Sequence, residues 1–334
     1  MKTIKKFFDE AIKKKASDIL LAAGEKPFLR IEGDLVAIDD KELNKKDLEL
    51  ELFSILNAEQ KKKFQENLEL DFAYEHNKNR FRVNFHYQEG GIAMSGRLIP
   101  QEIPTPEDIR LEENLLELVN LESGLVLVVG ATGNGKSTTI ATILEEINKN
   151  KKEHIITIED PIEFLFNSKQ SMVEQREIGI DTKSFAEALK HVLRQNPDII
   201  FIGEMRDPET IATALTAAET GHLVFSTLHT FNAAETIKRI VDVFEGPKQK
   251  QVLSQLSSVL RVVVAQKLLK SKSGKQVVAR EILVNNSAIA NMIKENNLSQ
   301  IVSAMQTGAK DGMKTMDTSL KELIKSGEID KEKK

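Results

Sequence analysis

Residues 130–137 read Gly-Ala-Thr-Gly-Asn-Gly-Lys-Ser, which fits the phosphate-binding loop pattern G-x-x-x-x-G-K-[ST]. The apolar run 125–129 before it suits a buried parallel strand, and apolar residues recur at helical spacing from Ile140 to Ile147 after it. A strand, a glycine-rich loop and a helix N-terminus surround a phosphate chain with backbone N–H groups. The chain is therefore predicted to bind a nucleoside triphosphate.

The loop assigns specific roles to two of its residues. Lys136 is expected to reach the β- and γ-phosphates, and the Ser137 hydroxyl to ligate Mg²⁺. The predicted cofactors are ATP and Mg²⁺. The predicted nucleotide-binding set adds the start of the helix and two acids at a neighbouring strand end: Gly130, Ala131, Thr132, Gly133, Asn134, Gly135, Lys136, Ser137, Thr138, Glu159 and Asp160.

Length and composition exclude several classes of protein. The 334 residues suggest about two domains. The 47 basic and 51 acidic residues give a net charge of −4, which does not call for a polyanionic partner. The absence of cysteine excludes disulfides, cysteine-ligated zinc and iron–sulfur clusters, and it suits a reducing compartment. No signal peptide and no membrane-spanning run is expected.

The chain is predicted to have two domains. Residues 1–98 read as a small α+β domain, with a helix at 4–12, strands at 27–31, 35–38, 72–74, 80–85 and 93–98, and turns at Glu32-Gly33-Asp34 and Gly90-Gly91. Residues 99–111 contain three prolines and are taken as a linker. From residue 112 strands and helices alternate, which predicts an α/β domain with a parallel sheet and helices on both sides.

The second predicted domain has four strands and four helices in its alternating part. The strands are 124–129, 154–158, 198–202 and 222–226, and the helices are 136–149, 182–194, 208–219 and 233–243. The last third is helix-rich and contains one hairpin, 262–269 with 276–282. Ligands collect at the carboxyl ends of such strands, so the residues that follow each strand are the candidates for chemistry.

Acidic residues follow two of these strands. Glu159, Asp160 and Glu163 come after 154–158, and Glu204 comes after 198–202. Hydrolysis of a phosphoanhydride needs a metal clamp and a group that orients or deprotonates water, and a carboxylate beside the loop can do either. The alternative interpretation is that these acids cap the helices that follow them.

Histidines and arginines complete the candidate site. His222 and His229 flank another buried strand, a spacing that suits a γ-phosphate sensor better than a metal site. Arg80, Arg82 and Arg97 lie on neighbouring predicted strands of the first domain. They are ordinary sheet-surface charges by default, but in an oligomeric ATPase such arginines can reach a neighbouring subunit's phosphate.

Together these segments resemble the type IV pilus retraction ATPase (PilT) family of the secretion ATPase superfamily. Residues 157–164 resemble its Asp box, 203–207 its Walker B motif, and 217–222 with 227–229 its His box. Weaker matches extend the resemblance over nearly the whole chain, at 16–18, 31–34, 80–84, 306–308 and 312–317.

The resemblance implies a fold and a motor. It implies a PAS-like N-terminal domain, a RecA-like core and a homohexameric ring whose ATP hydrolysis drives pilus disassembly. The implied partners are an inner-membrane platform protein and the pilus machinery, with no nucleic acid and no membrane insertion, at the cytoplasmic face of the inner membrane. The implied catalytic residues are Lys136, Glu163 as general base, Glu204 for Mg²⁺ and water, His222 and His229 as phosphate sensors or relays between domains, and Arg82 and Arg97 as charge-neutralising groups.

The sequence departs from the family pattern in two places. A motif associated with retraction appears as 288–295 with one arginine replaced by Ala290 and the other by Lys294. The histidine of an early Ser-Asp-Leu-His pattern is replaced by Leu20. The alternatives are a pilus-assembly or type II secretion ATPase, a RecA-like nucleic-acid motor, and a nucleotide-switched scaffold. The lack of cysteine disfavours the assembly or secretion ATPase, and the lack of tryptophan disfavours the nucleic-acid motor. The acids at the strand ends disfavour the scaffold.

Overall fold

The computed structural model describes residues 3–31, 33–100 and 102–330. Two compact units are formed, one by Met1–Glu102 with Glu163–Leu165 and the other by Ile103–Ile162 with Phe166–Lys334. The boundary between Glu102 and Ile103 falls in the proline-containing segment 99–111. None of the helices in the described ranges is both long and apolar enough to cross a membrane.

The described residues of the first unit form an antiparallel sheet and three helices. In its described part the strand order is β3-β2-β1-β6-β5-β4. The strands are β1 (Asp18–Ala22), β2 (Phe28–Ile31), β3 (Asp34–Ala37), β4 (Glu69–His76), β5 (Asn79–Gln88) and β6 (Gly91–Leu98). The helices are α1 (Ile4–Lys13), α2 (Lys45–Phe53) and α3 (Ala58–Asn67). Helix α1 buries Ile4, Phe7, Phe8 and Ala11, the apolar stripe that predicted it.

Some local predictions for this unit need correction. The loop between β5 and β6 is Glu89 with Gly90, because Gln88 pairs with Gly91 and Gly91 already belongs to β6. Strand β1 was not predicted, although it joins β2 and β6 at the centre of the sheet. Glu32, in the predicted first turn, lies outside the described residues.

The second unit is built on a mixed sheet. Its described strands follow the order β13-β12-β7-β11-β10-β8-β9. They are β7 (Gly124–Val129), β8 (His154–Glu159), β9 (Met172–Glu177), β10 (Ile199–Ile202), β11 (Leu223–Leu228), β12 (Leu260–Lys270) and β13 (Gln276–Val284). Neighbours from β12 to β9 run parallel, and β13 is antiparallel to β12.

Helices cover both faces of this sheet. They are α4 (Glu113–Leu116), α5 (Lys136–Asn150), α6 (Phe185–Val192), α7 (Pro208–Glu219), α8 (Ala233–Asp242), α9 (Pro247–Val259), α10 (Ser287–Lys294), α11 (Ile301–Thr307) and α12 (Met316–Lys325). Along β7, Leu125, Leu127 and Val129 pack in the core beneath α6 to α9, whereas Val126 and Val128 pack with α5 on the other face. The α/β architecture with helices on both sides is confirmed.

The differences from prediction in this unit have local causes. The helix predicted at 182–194 begins at Phe185, because the Ser184 side chain accepts from the Glu187 backbone N–H and caps it. Strand β9 escaped prediction because its sequence Met-Val-Glu-Gln-Arg-Glu has no apolar alternation, as an edge strand permits. The predicted hairpin at 262–282 extends the main sheet through β12 and β7.

Candidate nucleotide-binding site

The phosphate-binding loop (residues 130–137) joins β7 to α5 at the carboxyl edge of the sheet. Gly130 has φ +144°, and a Cβ there would lie 2.5 Å from the Gln266 carbonyl oxygen, so this position requires glycine. Helix α5 begins at Lys136 directly after Gly135, so its N-terminus is presented at the loop. This geometry provides the backbone donors that bind phosphate groups.

The Lys136 side chain is folded back on the loop. Its Nζ donates to the carbonyl oxygens of Gly130 at 2.8 Å and Ala131 at 3.1 Å. Lys136 is only 8% exposed, so its ammonium group is held in a preformed position. The loop therefore holds a cation at the place where the sequence expects the phosphates.

A short polar chain continues from Lys136 to the end of β10. Lys136 Nζ lies 3.5 Å from His229 Nδ1, and His229 Nε2 lies 3.2 Å from Glu204 Oε2. Arg206 Nε lies 2.8 Å from the other Glu204 oxygen. Because a carboxylate accepts and an ammonium donates, His229 fits here as the tautomer protonated on Nε2. The structure thus brings Lys136, His229 and Glu204 together, as the strand-end analysis expects.

A cleft of about 380 Å³ lies beside this chain. Glu204, Arg206 and His229 line it together with Glu235 and Arg239 from α8. The carboxyl edge of β10 and β11 is therefore open next to the candidate metal carboxylate.

The acids after β8 are placed differently from one another. Glu159 is buried, and its Oε1 accepts from the Thr157 hydroxyl at 2.6 Å and from Gln175 Nε2 at 3.2 Å. Asp160 is exposed. Glu159 is thus part of the local hydrogen bonding at the strand end, and Asp160 is the accessible acid of the pair.

The segment that carries Glu163 is fixed at both of its ends. Ile162 N donates to Glu177 Oε2 at 3.3 Å, and Phe166 N donates to Gln175 Oε1 at 2.9 Å. Both acceptors lie on β9, which therefore acts as a support for the predicted Asp box. Glu163 itself groups with the first unit.

One acid is a helix cap, as the alternative interpretation allows. Asp207 accepts from the backbone N–H of Thr210 at 2.8 Å and from its hydroxyl at 2.6 Å, and it caps α7. Burial raises the pKa of Asp207, but the hydrogen bonds from Thr210 outweigh burial and bring the pKa below its usual value. Asp207 is therefore a structural acid, whereas Glu204 is not a cap.

The structure separates the two predicted histidine sensors. His222 precedes β11, and its carbonyl accepts from Gly124 N at the start of β7. His229 follows β11, beside the phosphate-binding loop. A six-residue strand spans about 20 Å, so His222 does not lie beside His229 as a γ-phosphate sensor within one chain, and its other predicted role, a relay between domains, stays a prediction. Instead His222 Nδ1 lies 3.0 Å from the Ala217 carbonyl oxygen at the end of α7.

The predicted arginines form a row across the sheet of the first unit. Arg82 on β5 pairs in register with Arg97 on β6, which in turn pairs with Asp18 on β1. Arg97 Nε lies 2.9 Å from Asp18 Oδ1, and Arg30 Nε lies 3.7 Å from Asp18 Oδ2. Arg97 is 68% exposed at its side chain and Arg82 is exposed, so both present guanidinium groups to solvent.

A family model described as type II/IV secretion system protein matches residues 1–325. The type IV pilus retraction ATPase PilT of Pseudomonas aeruginosa is 47% identical over 96% of this chain and 93% of its own length. The chain is a member of the PilT family of type II/IV secretion system proteins.

Other relatives and solved structures agree with this membership. A twitching motility protein of Neisseria gonorrhoeae is 47% identical over 91% of this chain and 82% of its own. A crystal structure of the pilus retraction motor PilT with bound ADP superposes with a TM-score of 0.94 at 46% identity, covering 100% of this chain and 96% of that one. The ATPase DotB of Legionella pneumophila superposes with a TM-score of 0.85 at 30% identity, over 98% and 93% of the two chains. As a member of this family, the chain binds nucleotide.

Several residues of the site were missed by sequence reasoning. Gln266 donates to the phosphate-binding loop and accepts from Thr139 on the helix that follows it. Gln175 supports the Asp box segment, and Arg206 pairs with Glu204. Gln266 had a signal, because it directly follows the apolar run Val-Val-Val-Ala at 262–265 in the middle of a predicted strand. A polar residue in a buried strand requires a partner, and here the partner is the loop.

Proposed function

We propose that this chain is the ATP-hydrolysing motor of type IV pilus retraction. The observation that carries the proposal is the meeting of Lys136, His229 and Glu204 at one sheet edge, in a chain that matches PilT over nearly its whole length. The phosphate-binding loop supports nucleotide binding, and the carboxylate at the tip of β10 is the group proposed to organise Mg²⁺ and water for hydrolysis.

Lys136 is proposed to change partners when ATP binds. Its ammonium group leaves the carbonyl oxygens of Gly130 and Ala131 for the phosphate oxygens, which carry full charge and are better acceptors. His229 loses or weakens its contact with Lys136 in the same event. Because His229 also contacts Glu204, the position of the β10 carboxylate responds to the occupancy of the loop.

The donors fit Mg²⁺ bound together with a nucleotide. Among the described residues, no group of three or more histidine, cysteine, aspartate or glutamate side chains is arranged to hold a metal. Mg²⁺ binds one or two carboxylates, several waters and substrate phosphates, and it does not need a cage of protein ligands. The Ser137 hydroxyl and the Glu204 carboxylate are the proposed ligands. Bound Mg²⁺ would supply charge neutralisation to the transferred phosphoryl group.

The remaining roles follow from the family resemblance. Glu163 is the proposed general base, on a segment that β9 fixes at both ends. Arg82 and Arg97 are the proposed charge-neutralising groups, and the chain is proposed to work as a homohexamer with an inner-membrane platform protein, at the cytoplasmic face of that membrane. The division into a domain at 1–98, a linker at 99–111 and an ATPase domain at 112–334 is part of the same proposal.

A deletion strain tests the direction of the motor. Loss of the gene should leave excess pili and abolish twitching, and reintroduction of the wild-type chain should restore motility. A Lys136→Ala chain is the control, because it should fold but bind nucleotide poorly and fail to restore motility. Absence of pili in the deletion strain would point to the assembly ATPase instead.

The ring has its own test. Light scattering of the purified chain should give the mass of a hexamer, and a fully active monomer would refute the ring. Mixing inactive Arg97→Ala subunits with inactive Lys136→Ala subunits should restore some phosphate release if the arginine acts across a subunit boundary. Confirmed mixed rings without recovery would place the action of Arg97 within its own subunit.

A further inference from the structure

Two buried polar side chains face each other across the β12–β13 ladder behind the phosphate-binding loop. Gln266 on β12 pairs in register with Arg280 on β13. Gln266 is 3% exposed and Arg280 is 2% exposed. A polar pair this deeply buried persists only with partners for its donors and acceptors.

Gln266 contacts the loop and the helix that follows it. Its Nε2 donates to the Asn134 carbonyl oxygen at 3.0 Å. Its Oε1 accepts from the Thr139 hydroxyl at 2.7 Å, in the first turn of α5. One amide therefore holds both sides of the bend at which the loop becomes a helix.

Arg280 connects that amide to a distant part of the chain. Its Nε donates to Gln266 Oε1 at 3.2 Å. Its two terminal nitrogens donate to the carbonyl oxygens of Arg110 at 2.9 Å and Ile109 at 3.0 Å, and to Glu112 Oε2 at 2.9 Å. Burial lowers the pKa of Arg280 and Glu112 raises it, and a guanidinium stays charged under both influences.

A second contact holds the beginning of the same segment. The Thr142 hydroxyl, on α5, lies 2.9 Å from the Pro104 carbonyl oxygen and 2.9 Å from the Thr138 carbonyl oxygen of its own helix, and its proton is shared between these two acceptors. Residues 104–112 (the entry segment) are thus held at one end by the helix of the phosphate-binding loop and at the other by Arg280. This is the stretch through which the chain enters the second unit after Glu102.

We propose that Gln266 and Arg280 are positioning residues that couple the phosphate-binding loop to the entry segment, so that nucleotide bound at the loop stabilises that segment. The inference rests on the proposed function, because nucleotide is its ligand. Coupling of this kind is reciprocal, since a ligand that favours one arrangement of the segment is itself bound more tightly in that arrangement.

The chemistry of arginine suits this role. The planar fork of Arg280 reaches Gln266, two carbonyl oxygens and a carboxylate at once, which a lysine ammonium on a flexible stem does not reproduce. Arg280→Met keeps an apolar stem in the core, and Glu112 then still has Lys314 Nζ at 3.2 Å as a partner. The variant is therefore expected to fold.

Hydrogen exchange of the full-length chain, with and without saturating ADP, tests the coupling. The reporters are the amides of Ile109, Arg110 and Leu111, which bond within the turn of the entry segment. In the wild type, ADP should slow their exchange by at least about fivefold, the lower end of ordinary coupling factors. In Arg280→Met and Arg280→Lys, ADP should still bind, and its effect on these amides should be lost.

Matched variants separate coupling from general damage. Arg261→Met removes another arginine that donates to backbone carbonyl oxygens, those of Ser123 and, in the last turn of α9, Ser258, and it should keep the wild-type response to ADP. Thr142→Val removes the contact with Pro104 at the other end of the entry segment and should reduce the effect of ADP on hydrogen exchange. This variant tests the coupling even if Arg280→Met does not fold. An equal ADP response in the wild type and the Arg280 variants would overturn the inference. Failure of the wild type to bind ADP would instead refute the proposed function.

Discussion

The close approach of Gly130 to β12 predicts a large effect of Gly130→Ala. An added methyl group would lie 2.5 Å from the Gln266 carbonyl oxygen, in a backbone conformation with φ +144°. The Gln266 side chain is held by Thr139, Asn134 and Arg280, so the strand cannot yield. Backbone strain costs about 1–3 kcal/mol and overpacking about 1–3 kcal/mol, which gives a loss of about 2–6 kcal/mol in the free energy of unfolding.

Gly133→Ala is the matched control within the same loop. Gly133 has φ +81°, and a Cβ there would have no heavy atom within 4 Å. Replacing it with alanine should therefore cost only the strain of a left-handed backbone conformation, about 1–2 kcal/mol. The difference between the two variants in the free energy of unfolding therefore measures the contact with β12, because the cost of replacing a loop glycine is common to both.

Urea titration followed by circular dichroism measures both variants, since the chain has no tryptophan to serve as a fluorescent probe. Titration with ADP then measures nucleotide affinity in the folded protein. Gly130→Ala should unfold at clearly lower urea than Gly133→Ala. Equal midpoints would refute the close packing of the loop against β12.

Three further predictions concern single residues. Glu204→Gln should retain ATP binding and lose most phosphate release, because an amide is a poor ligand for Mg²⁺; release at the wild-type rate would contradict its role. Arg97→Ala should lower turnover by about 10³-fold if it neutralises transferred charge, whereas a solvated charge would change turnover little. Glu153→Gln should increase stability to urea at pH 7, because burial and the Asp198 carboxylate raise the pKa of Glu153 and its ionised form opposes folding. That gain should vanish below about pH 4, where the carboxyl is protonated in both the folded and unfolded states; a gain independent of pH would contradict it.

In the second unit, the sequence predicts the strands that consist of continuous apolar runs. β7, β10 and β11 are buried on both faces, so their runs are unmistakable and the side chains after them are correctly placed at one edge. β9 could not be found this way, because an edge strand with partly exposed side chains has no apolar signature.

The candidate site was predictable where it depends on motif and strand order. Lys136 and Glu204 follow from the loop and from a strand end, and His229 follows from the neighbouring strand. His222 was included because it flanks β11 and belongs to the segment that resembles the His box, although it precedes the strand and therefore lies at the end opposite to the phosphate. The roles of Gln266 and Arg280 depend on the pairing of β12 with β13 and β7, a long-range contact that local pattern does not encode.

The ion pair between Arg97 and Asp18 has a consequence for the proposed role of the arginine, because its guanidinium group already has a carboxylate partner. A phosphate that recruits Arg97 must first displace a carboxylate 2.9 Å away, and Asp18 keeps Arg30 as a second partner after the exchange. Monovalent anions of the solution compete poorly against a carboxylate already in place, whereas a multiply charged phosphate chain competes well. If Arg97 binds phosphate as proposed, Asp18 is therefore the group that the phosphate replaces, and it favours multiply charged anions over monovalent ones at this arginine.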